Sequence, residues 1–520
     1  MKKFRSKKIR STKVRSKRNI NNLTRMIISL IMIAGMIMGL SSGLNASAAN
    51  VSVQNESEKE ADEIQSLIDE FSRNTKCNSV SVMVYDQGEI SYYGDKDGLY
   101  QIGSMTKSFT GLAIQKLIDE GKLSAEDKLS DYIKYFEAYY NSEKVEITIG
   151  QLLTQTSGFT NSESDYYIIG DISLTDWAYN FSGRELKCAP GTEYNYSNVN
   201  FALLGAVIES VTGSEYKSFM ETKVLDPIGL HNTYVGEPDN MGVIEGSRLV
   251  YRKTVDYEIP ISEATIPAGY FYSNIEDMGQ WMNLWISQDT DMETDQDSNQ
   301  DTDTNQDTNT NQDSNLDIAL ANASANVVSC LKNEGDYYAG WERFEDGAIG
   351  HSGGTANYSS RIVFSKDKQT GVCVLTNLNV AASTDSLCNN IFKSLNGESV
   401  GTIAVDVWTI FDIVFTVVSI VMILLGILVI GIRRRKAAIG IGVVVLILLI
   451  LIEVLFPTIF SATLLDILGT WAPWSMTAAI ILMVVDIIIC LIAAVLCKPK
   501  RDRNANNYQR GEGPASYSYN

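Results

Sequence analysis

The first half of the chain alternates hydrophobic and polar positions in patterns typical of a helix, a hairpin and a second helix. Residues 56–72 place apolar side chains at helical spacing, and residues 79–94 alternate with period two around an Asp-Gln-Gly turn, as in a β-hairpin. Between residues 109 and 117 apolar side chains return to helical spacing, and Gly121 marks the end of that helix. A helix- and loop-rich stretch then extends to about Trp285.

The strand pattern returns near the end of the same region. From Gly347 three segments, "GAIGHSGG", "SSRIVFSKD" and "TGVCVLTNL", alternate as strands, and a last helix is predicted at about residues 382–395. Strands at both ends with helices between them predict one antiparallel sheet closed by early and late segments and flanked by helices. The predicted fold class is therefore α+β.

The N-terminus has the pattern of a secretory signal. Its first 25 residues hold eleven Lys or Arg and no acid, residues 26–40 are apolar, and "NASAAN" follows. A basic region, a short apolar region and small residues before the cleavage point are the parts of a signal peptide. We predict a signal peptide at residues 1–48, with the following domain exported, in a Gram-positive bacterium.

Three apolar runs near the C-terminus are each long enough to cross a bilayer, at about residues 407–432, 437–456 and 476–496. "RRRK" separates the first two, basic residues follow the third, and the link between the second and third has no Lys or Arg. Positive charge favours the cytoplasmic side. We therefore expect three transmembrane helices at 407–497, a cytoplasmic tail at 498–520, and a multi-pass cell-membrane protein whose domain at 49–400 faces outwards.

Charge and composition narrow the function. The whole chain has a formal net charge of −19, and residues 26–432 hold 57 acidic and 23 basic side chains. Such an acidic exported part disfavours nucleic acid as a partner. Two His in the whole chain exclude a His-rich metal site, and we expect no metal or cofactor. Five Cys before the apolar runs lack CxxC spacing, so one disulfide is possible but no framework is implied.

Residues 289–317 contain a six-residue Asp/Asn-rich repeat, "NQDTDT NQDTNT NQDSN". Its alternating Asp residues are similar to a calcium-binding loop, but it lacks the Gly and the terminal Glu of an EF-hand. Its composition favours a solvated, disordered insertion within one domain.

The chemistry starts with "IGSMTKSFTG", which places Ser104 and Lys107 three residues apart at a predicted helix start. Residues i and i+3 share a helix face, so the amine can reach the hydroxyl and take its proton. A capping serine beside a solvated lysine is the ordinary alternative, and Ser-x-x-Lys also occurs at Ser214, Ser329 and Ser365. Two further motifs elsewhere in the chain distinguish Ser104 from these copies.

Those motifs are "PGTEYNYSNVN", with Tyr196 and Asn198 just before a predicted helix, and "GHSGGT", with His351 at an apparent strand. Ser-x-x-Lys, Tyr-Ser-Asn and His-Ser-Gly-Gly in this order resemble the serine β-lactamases and penicillin-binding proteins, and in particular the class C β-lactamase and DD-peptidase branch. "LLTQTSGF" and "PAGYFYSNIEDMGQW" are similar to further landmarks of that family. The resemblance covers about residues 60–395.

The resemblance implies that Ser104 forms an acyl-enzyme while Lys107 and Tyr196 move the protons. It also implies substrate-binding roles for Asn198 of the Tyr-Ser-Asn motif. The same role is implied for three residues of the His-Ser-Gly-Gly motif, which are His351, Gly353 and Gly354. The amide N–H groups of Ser104 and of the strand after His351 would form the oxyanion hole.

This chain departs from the family pattern at two positions. His351 stands where the family often has a Lys that holds a substrate carboxylate, and Gln155 stands where many members have His. Loss of that cation puts recognition of β-lactams and of D-Ala-D-Ala carboxylates in doubt.

Two alternatives compete for the site residues. Tyr272-Ser273-Asn274 is a second "YSN", but it lies inside the Pro-Ala-Gly landmark, where the family has no catalytic tyrosine. "GHSGG" also fits the nucleophile elbow of α/β-hydrolases with Ser352 attacking, yet that elbow needs a following helix and a downstream His. The sequence after Ser352 is strand-like, and it contains no His.

The sequence thus predicts a membrane-anchored extracytoplasmic serine hydrolase for a small peptide-like amide or ester, with the cell wall as one candidate source of the substrate. The expected activities are those of a DD-peptidase, an aminopeptidase-like enzyme, an esterase or a prodrug peptidase. The membrane-bound prodrug peptidases of the family share a class C-like domain followed by three helices. The second hypothesis is a non-catalytic, penicillin-binding-like sensor of cell-wall fragments. It predicts slow acylation without turnover.

Overall fold

The computed structural model describes residues 56–160, 172–239, 242–287, 310–333, 335–432, 434–460 and 462–496. The predicted signal peptide at 1–48 and the predicted tail at 498–520 lie outside these residues, as does the repeat up to residue 309. The last part of the predicted insertion falls on the start of the helix Thr310–Asn333.

A seven-stranded antiparallel sheet forms the centre of the domain. Its order is β11-β12-β13-β14-β15-β1-β2, so the first hairpin of the chain pairs with its last strands. The strands are β1 (Val80–Asp86), β2 (Glu89–Tyr93), β11 (Tyr337–Tyr338), β12 (Trp341–Arg343), β13 (Ile349–Gly354), β14 (Ser359–Ser365) and β15 (Thr370–Thr376). The predicted sheet closed by early and late segments is confirmed.

Period-two alternation divides the side chains of this sheet between two hydrophobic clusters. In β1, Val82 and Val84 face the first and last helices of the domain, α1 (Glu56–Thr75) and α12 (Ala381–Leu395). Met83 faces the larger cluster on the other side, together with the buried central helices. The sheet is therefore covered on both faces.

The helical layer of the larger cluster carries the first two motifs. Its helices are α2 (Thr106–Asp119), α3 (Leu129–Tyr132), α4 (Ile149–Leu153), α5 (Leu174–Phe181), α6 (Asn198–Thr212), α7 (Tyr216–Met220), α8 (Asp226–Ile228), α9 (Ile266–Gly269), α10 (Ile275–Ile286) and α11 (Thr310–Asn333). Every residue of helix α2 from Thr106 to Leu117 is buried. A 3-10 turn, Gly103–Met105, immediately precedes it.

Three small sheets complete the domain where the sequence predicted only helices and loops. They comprise β3 (Tyr100–Gln101), β10 (Phe271–Ser273) and β7 (Tyr234–Val235); β5 (Glu143–Val145), β4 (Ala138–Tyr140) and β6 (Arg184–Glu185); and the hairpin of β8 (Ser247–Val250) and β9 (Lys253–Asp256). These strands have two to four residues, too few to show an alternation in the sequence.

Three long C-terminal helices follow the domain: α13 (Val407–Ile432), α14 (Arg435–Phe460) and α16 (Trp474–Leu496). Each is long and apolar enough to cross a membrane, in agreement with the three predicted runs. The segment between α14 and α16 contains the short helix α15 (Leu464–Asp466) and a π-helical turn, Ile467–Trp471. The six described cysteines form no disulfide with one another.

Candidate active site

Ser104 lies in the 3-10 turn between β3 and helix α2. Strand β3 pairs with β10, and the Ile102 N–H donates to the Phe271 carbonyl 3.0 Å away, which fixes the chain just before the turn. The hydroxyl is half-buried and lines a cavity of about 40 Å³. The predicted position of Ser104 at a helix start is confirmed.

Lys107 lies one turn further along and is completely buried. Its Nζ is 2.9 Å from Ser104 Oγ, 2.7 Å from Asn198 Oδ1 and 2.5 Å from the Ala268 carbonyl oxygen. Burial lowers the pKa of this amine well below its usual value, because the charged form loses its solvation. A neutral amine donates its two N–H groups to Asn198 and Ala268 and directs its lone pair at the Ser104 hydroxyl.

Tyr196 lies in the loop that leads into helix α6, and Asn198 is the first residue of that helix. The Lys107 Nζ lies 5.0 Å from the centroid of the Tyr196 ring, so the amine faces both motifs at once. The ring of Tyr196 is in turn 6.1 Å from the ring of His351 on β13. The structure therefore brings together Ser104, Lys107, Tyr196, Asn198 and His351.

Gln155 holds the Tyr196 loop in place and received no role in the sequence analysis. Its side-chain oxygen accepts from the Ser197 N–H at 3.0 Å and from Asn200 Nδ2 at 2.5 Å. Its main-chain carbonyl accepts from the Asn195 N–H at 2.9 Å. Gln155 adopts a left-handed backbone conformation with φ +58 and is fully buried, so it is a positioning residue. In the sequence, the only indication of this role is that Gln155 stands where many members of the family have a His.

His351 is a buried, neutral hydrogen-bonding group. Its Nδ1 lies 2.6 Å from the Ser352 carbonyl oxygen, which makes Nδ1 the protonated nitrogen and Nε2 the acceptor. Within the described residues Nε2 has no hydrogen-bond partner. Burial, followed by the nearby Lys107, lowers the pKa of His351 to about 3. The position of the family's permanent cation thus carries no charge here.

Tyr337 on β11 lies beside the rings of Tyr196 and His351, a contact that the sequence does not predict. Its ring centroid is 6.3 Å from that of Tyr196 and 5.9 Å from that of His351, both edge-on. The short strand β11 gives no pattern in the sequence that would have indicated this contact.

Glycines bring β13 against the nucleophile turn. A β-carbon on Gly103, which has φ +53, would collide with the Gly354 nitrogen, and one on Gly353 would collide with the Ile102 carbonyl. Gly354 lines the Ser104 cavity. The other residues of its wall are Asn198, Ala268, Gly269, Tyr270, Thr355 and Trp471.

The nucleophile elbow at Ser352 is excluded by its surroundings. Ser352 lies in the middle of β13, a strand that continues antiparallel into β14 rather than into a helix. Its hydroxyl donates to Asp385 at 2.8 Å and accepts from Arg361 at 2.7 Å. Neither partner lines the Ser104 cavity.

Tyr272, the alternative tyrosine, also lies away from the cavity. Its hydroxyl accepts from Gln101 Nε2 at 2.8 Å, and its side chain lines a different cavity of about 360 Å³. This placement favours Tyr196 as the tyrosine of the site.

The assembled groups are suited to acyl transfer. A hydroxyl lies 2.9 Å from a buried amine whose pKa is lowered by that burial, a phenol ring lies alongside, and residues of the nucleophile turn and of β13 border the same cavity. Among the described residues no three His, Cys, Asp or Glu side chains converge as metal ligands would.

Known proteins share this sequence pattern and fold. The sequence model of the Beta-lactamase family matches residues 64–390. The protein flp of Staphylococcus aureus (strain NCTC 8325 / PS 47) is 30% identical over 290 residues, which cover 54% of this chain and 53% of that protein. The D-alanyl-D-alanine-carboxypeptidase/endopeptidase AmpH of Escherichia coli (strain K12) is 28% identical over 199 residues, or 37% of this chain and 50% of that protein. The chain spans about half the length of these curated relatives.

Solved structures show the same fold at lower identity. An octameric penicillin-binding protein homologue from Pyrococcus abyssi has a TM-score of 0.51 at 21% identity, covering 65% of this chain and 78% of that one. A class C beta-lactamase in complex with cefoxitin has a TM-score of 0.51 at 17% identity, covering 65% of this chain and all of that one. At these identities the likeness establishes the fold.

Proposed function

The chain belongs to the β-lactamase family of serine hydrolases, and on this premise we propose that it hydrolyses an amide or ester through an acyl-enzyme on Ser104. The observation that carries the proposal is the position of Lys107. Its buried Nζ lies at hydrogen-bond distance from two acceptors, Asn198 Oδ1 and the Ala268 carbonyl, and from the Ser104 hydroxyl. A serine becomes a nucleophile only when a base takes its proton, and an uncharged amine can do so.

In acylation the Ser104 oxygen attacks the substrate carbonyl carbon while its proton passes to Lys107 Nζ. The negative charge that develops on the carbonyl oxygen would be stabilised by the N–H groups of Ser104 and Gly354. The bond to the leaving nitrogen or oxygen then breaks, and Tyr196 donates a proton to that atom while Lys107 returns one to Tyr196. In deacylation Tyr196 passes its proton to Lys107 as it takes one from the attacking water. The water oxygen adds to the ester carbon, and the Ser104 oxygen leaves with the proton that Lys107 returns.

The neutral His351 bears on the substrate class. A lysine at this position would attract a carboxylate, whereas the unprotonated Nε2 accepts a hydrogen bond. The preferred substrate would therefore present a hydroxyl or N–H donor there, rather than a terminal carboxylate. This argues for an ester, or for an amide within a longer peptide-like molecule.

The same proposal places the domain outside the cytoplasm on a membrane anchor. Three apolar helices of sufficient length follow the domain, and Arg434, Arg435 and Lys436 lie at the junction of the first two. Positive charge at that junction favours the cytoplasmic side, which directs the domain to the other face.

The nucleophile is tested on the full chain in detergent. We expect a fluorophosphonate probe to label the wild type and a p-nitrophenyl ester to be hydrolysed with turnover, both lost in Ser104→Ala. Ser214→Ala is the matched control, since it removes the serine of another Ser-x-x-Lys copy at an exposed position. Labelling that survives in Ser104→Ala would refute the site, and a single acylation without turnover would favour the sensor.

The substrate preference is tested with matched pairs. Peptide substrates ending in D-alanine are compared with the same peptides ending in D-alanine amide, which lack only the carboxylate. We expect the amide-terminated member of each pair to have the higher kcat/KM. A preference for the free carboxylate would contradict the role given to His351.

A further inference from the structure

The segment between the last two apolar helices, residues 462–473, lies on the hydrolase domain. It begins with a capping box at Thr463, whose hydroxyl accepts from the Asp466 N–H, and continues through α15 into the π-helical turn Ile467–Trp471. We call residues 462–473 the helix linker. Its carbonyl groups at the end of the π-helical turn face the β8–β9 hairpin of the domain.

Arg248 of β8 binds the helix linker at three points. Its Nε, Nη1 and Nη2 donate to the carbonyls of Ala472 at 2.5 Å, Gly469 at 3.1 Å and Leu468 at 2.7 Å. The Tyr257 hydroxyl also donates to the Gly469 carbonyl, at 2.9 Å. Arg248 is 3% exposed, and a planar guanidinium with three used donors fixes the orientation of the chain it binds.

A second contact ties the same hairpin to the helices themselves. The buried Asp412 of α13 accepts from the Arg252 N–H at 2.7 Å and from the Ser475 hydroxyl at 2.7 Å. Ser475 lies at the start of α16, directly after the helix linker. The linker is thus held to the domain along its final turn and at its exit.

This docking places Trp471 in the wall of the Ser104 cavity. Trp471 lines the cavity together with Ser104, Gly354 and Thr355 from the domain. It also borders a small void next to Trp408 and Pro473, so it lies between the domain and the helices. The cavity is only about 40 Å³, far less than the roughly 300–1,000 Å³ of ordinary ligand pockets.

We propose that Trp471 is a specificity-determining residue, through which the helix linker limits the size of the substrate group next to the reactive carbonyl. The inference rests on the proposed acyl-enzyme at Ser104. Because the indole fills space that a substrate must use, short or flat groups are accepted and long acyl chains are rejected. The apolar helices therefore contribute to the substrate site as well as to anchoring.

The test compares p-nitrophenyl acetate with p-nitrophenyl octanoate on the full chain in one detergent. Trp471→Ala should raise the octanoate-to-acetate ratio of kcat/KM by about tenfold or more, because removing the indole enlarges the cavity. Trp471→Phe should give an intermediate ratio. Trp408→Ala is the matched control, since it removes an indole that packs on Phe411 and Phe460 and does not line the cavity.

A second variant tests whether docking by Arg248 positions the indole. Arg248→Lys keeps the charge but replaces the planar guanidinium, whose three nitrogens each reach a separate carbonyl, by a single ammonium nitrogen, so it should raise the ratio in the same direction. Combined with Trp471→Ala it should add nothing, because both changes remove the same wall. An additive double variant would contradict a shared action.

The outcomes separate this inference from the proposed function. If neither ester is hydrolysed and Ser104 is not labelled, the proposed function fails. If both esters are hydrolysed and Trp471→Ala leaves the ratio unchanged, the role of Trp471 is refuted while the hydrolase stands. An equal rise in Trp408→Ala would also refute it, by assigning the effect to a loosened helix bundle.

Discussion

Gly103 and Gly354 approach each other so closely that a β-carbon on Gly103 would collide with the Gly354 nitrogen. One residue precedes Ser104, and the other lines the Ser104 cavity from β13. Their approach brings the two main-chain segments proposed as the oxyanion hole to the same point.

Gly103→Ala should therefore abolish ester hydrolysis and lower the melting temperature. Its φ of +53 disfavours alanine, at a cost of about 1–3 kcal/mol, and the new methyl group must also displace β13. Gly213→Ala is the control, because Gly213 has φ +69 but open space around it. Equal losses of activity and melting temperature in both variants would show that backbone conformation alone is responsible.

Lys107→Arg should lower kcat/KM for a p-nitrophenyl ester by about 10²- to 10⁴-fold, since arginine cannot give up its proton to become a base. Lys116→Arg, a buried lysine of the same helix paired with Glu120, should leave the rate nearly unchanged. A Lys107→Arg enzyme with wild-type activity would exclude the amine as the base.

The pH dependence should report the same amine. Lys107 must be neutral to act, so activity is lost as the pH falls through its pKa, which burial places well below the usual 10.5. The acid limb of kcat/KM should therefore lie well below pH 10.5 in the wild type and be absent from the residual activity of Lys107→Arg. If kcat/KM falls at the same pH in both proteins, the titrating side chain is not Lys107.

Gln155→Ala should reduce kcat more than it changes KM. It leaves the N–H of Ser197 and the amide of Asn200 without their acceptor, at a cost of about 1–3 kcal/mol each, and releases the loop that carries Tyr196. Gln155→His restores a ring acceptor and should recover part of kcat. Steady-state kinetics on the three proteins decides this, and a pure KM effect would argue against positioning of Tyr196.

His351 should make the fold sensitive to acid. The folded protein lowers its pKa from 6.5 to about 3, so the unfolded chain takes up the proton first as the pH falls. The stability contributed by neutral His351 is full above pH 6.5 and is lost between pH 6.5 and about 3. In His351→Gln the melting temperature should fall less steeply across this window than in the wild type.

The chain's only other histidine provides the control. His231 is exposed, and His231→Gln is the matched control for a histidine-to-glutamine change outside the site. If His351→Gln also follows the wild-type curve, His351 does not titrate as its burial implies.

The main sheet could be predicted from the sequence because its strands leave local patterns, whereas the roles of Tyr196, Asn198 and His351 were inferred from the resemblance of their motifs to a known family. Buried strands such as β14 and β15, and the buried helix α2, leave hydrophobic patterns that can be recognised in the amino-acid sequence. Ser104 lies in the turn just before the helix of Lys107, so their three-residue spacing predicts the contact, although other motifs were needed to distinguish this Ser-x-x-Lys from the other three copies.

Contacts between distant segments could not be read in this way. Gln155 meets the Tyr196 loop across some forty residues, and Tyr337 comes from a two-residue strand. Trp471 reaches the cavity through hydrogen bonds between Arg248 and main-chain carbonyls, which any residue types at those linker positions would offer. Nothing in the side-chain sequence of the helix linker marks it as part of a catalytic cavity.

The three carbonyls bound by Arg248 have a practical consequence for how the enzyme is prepared. A soluble fragment that ends before Val407 would keep Ser104, Lys107, Tyr196 and His351 but lose Trp471. Such a fragment would expose a wider cleft and hydrolyse bulky esters that the intact protein excludes. Inhibitors selected against it would fill a space that the indole occupies in the native enzyme, and they would lose potency on cells.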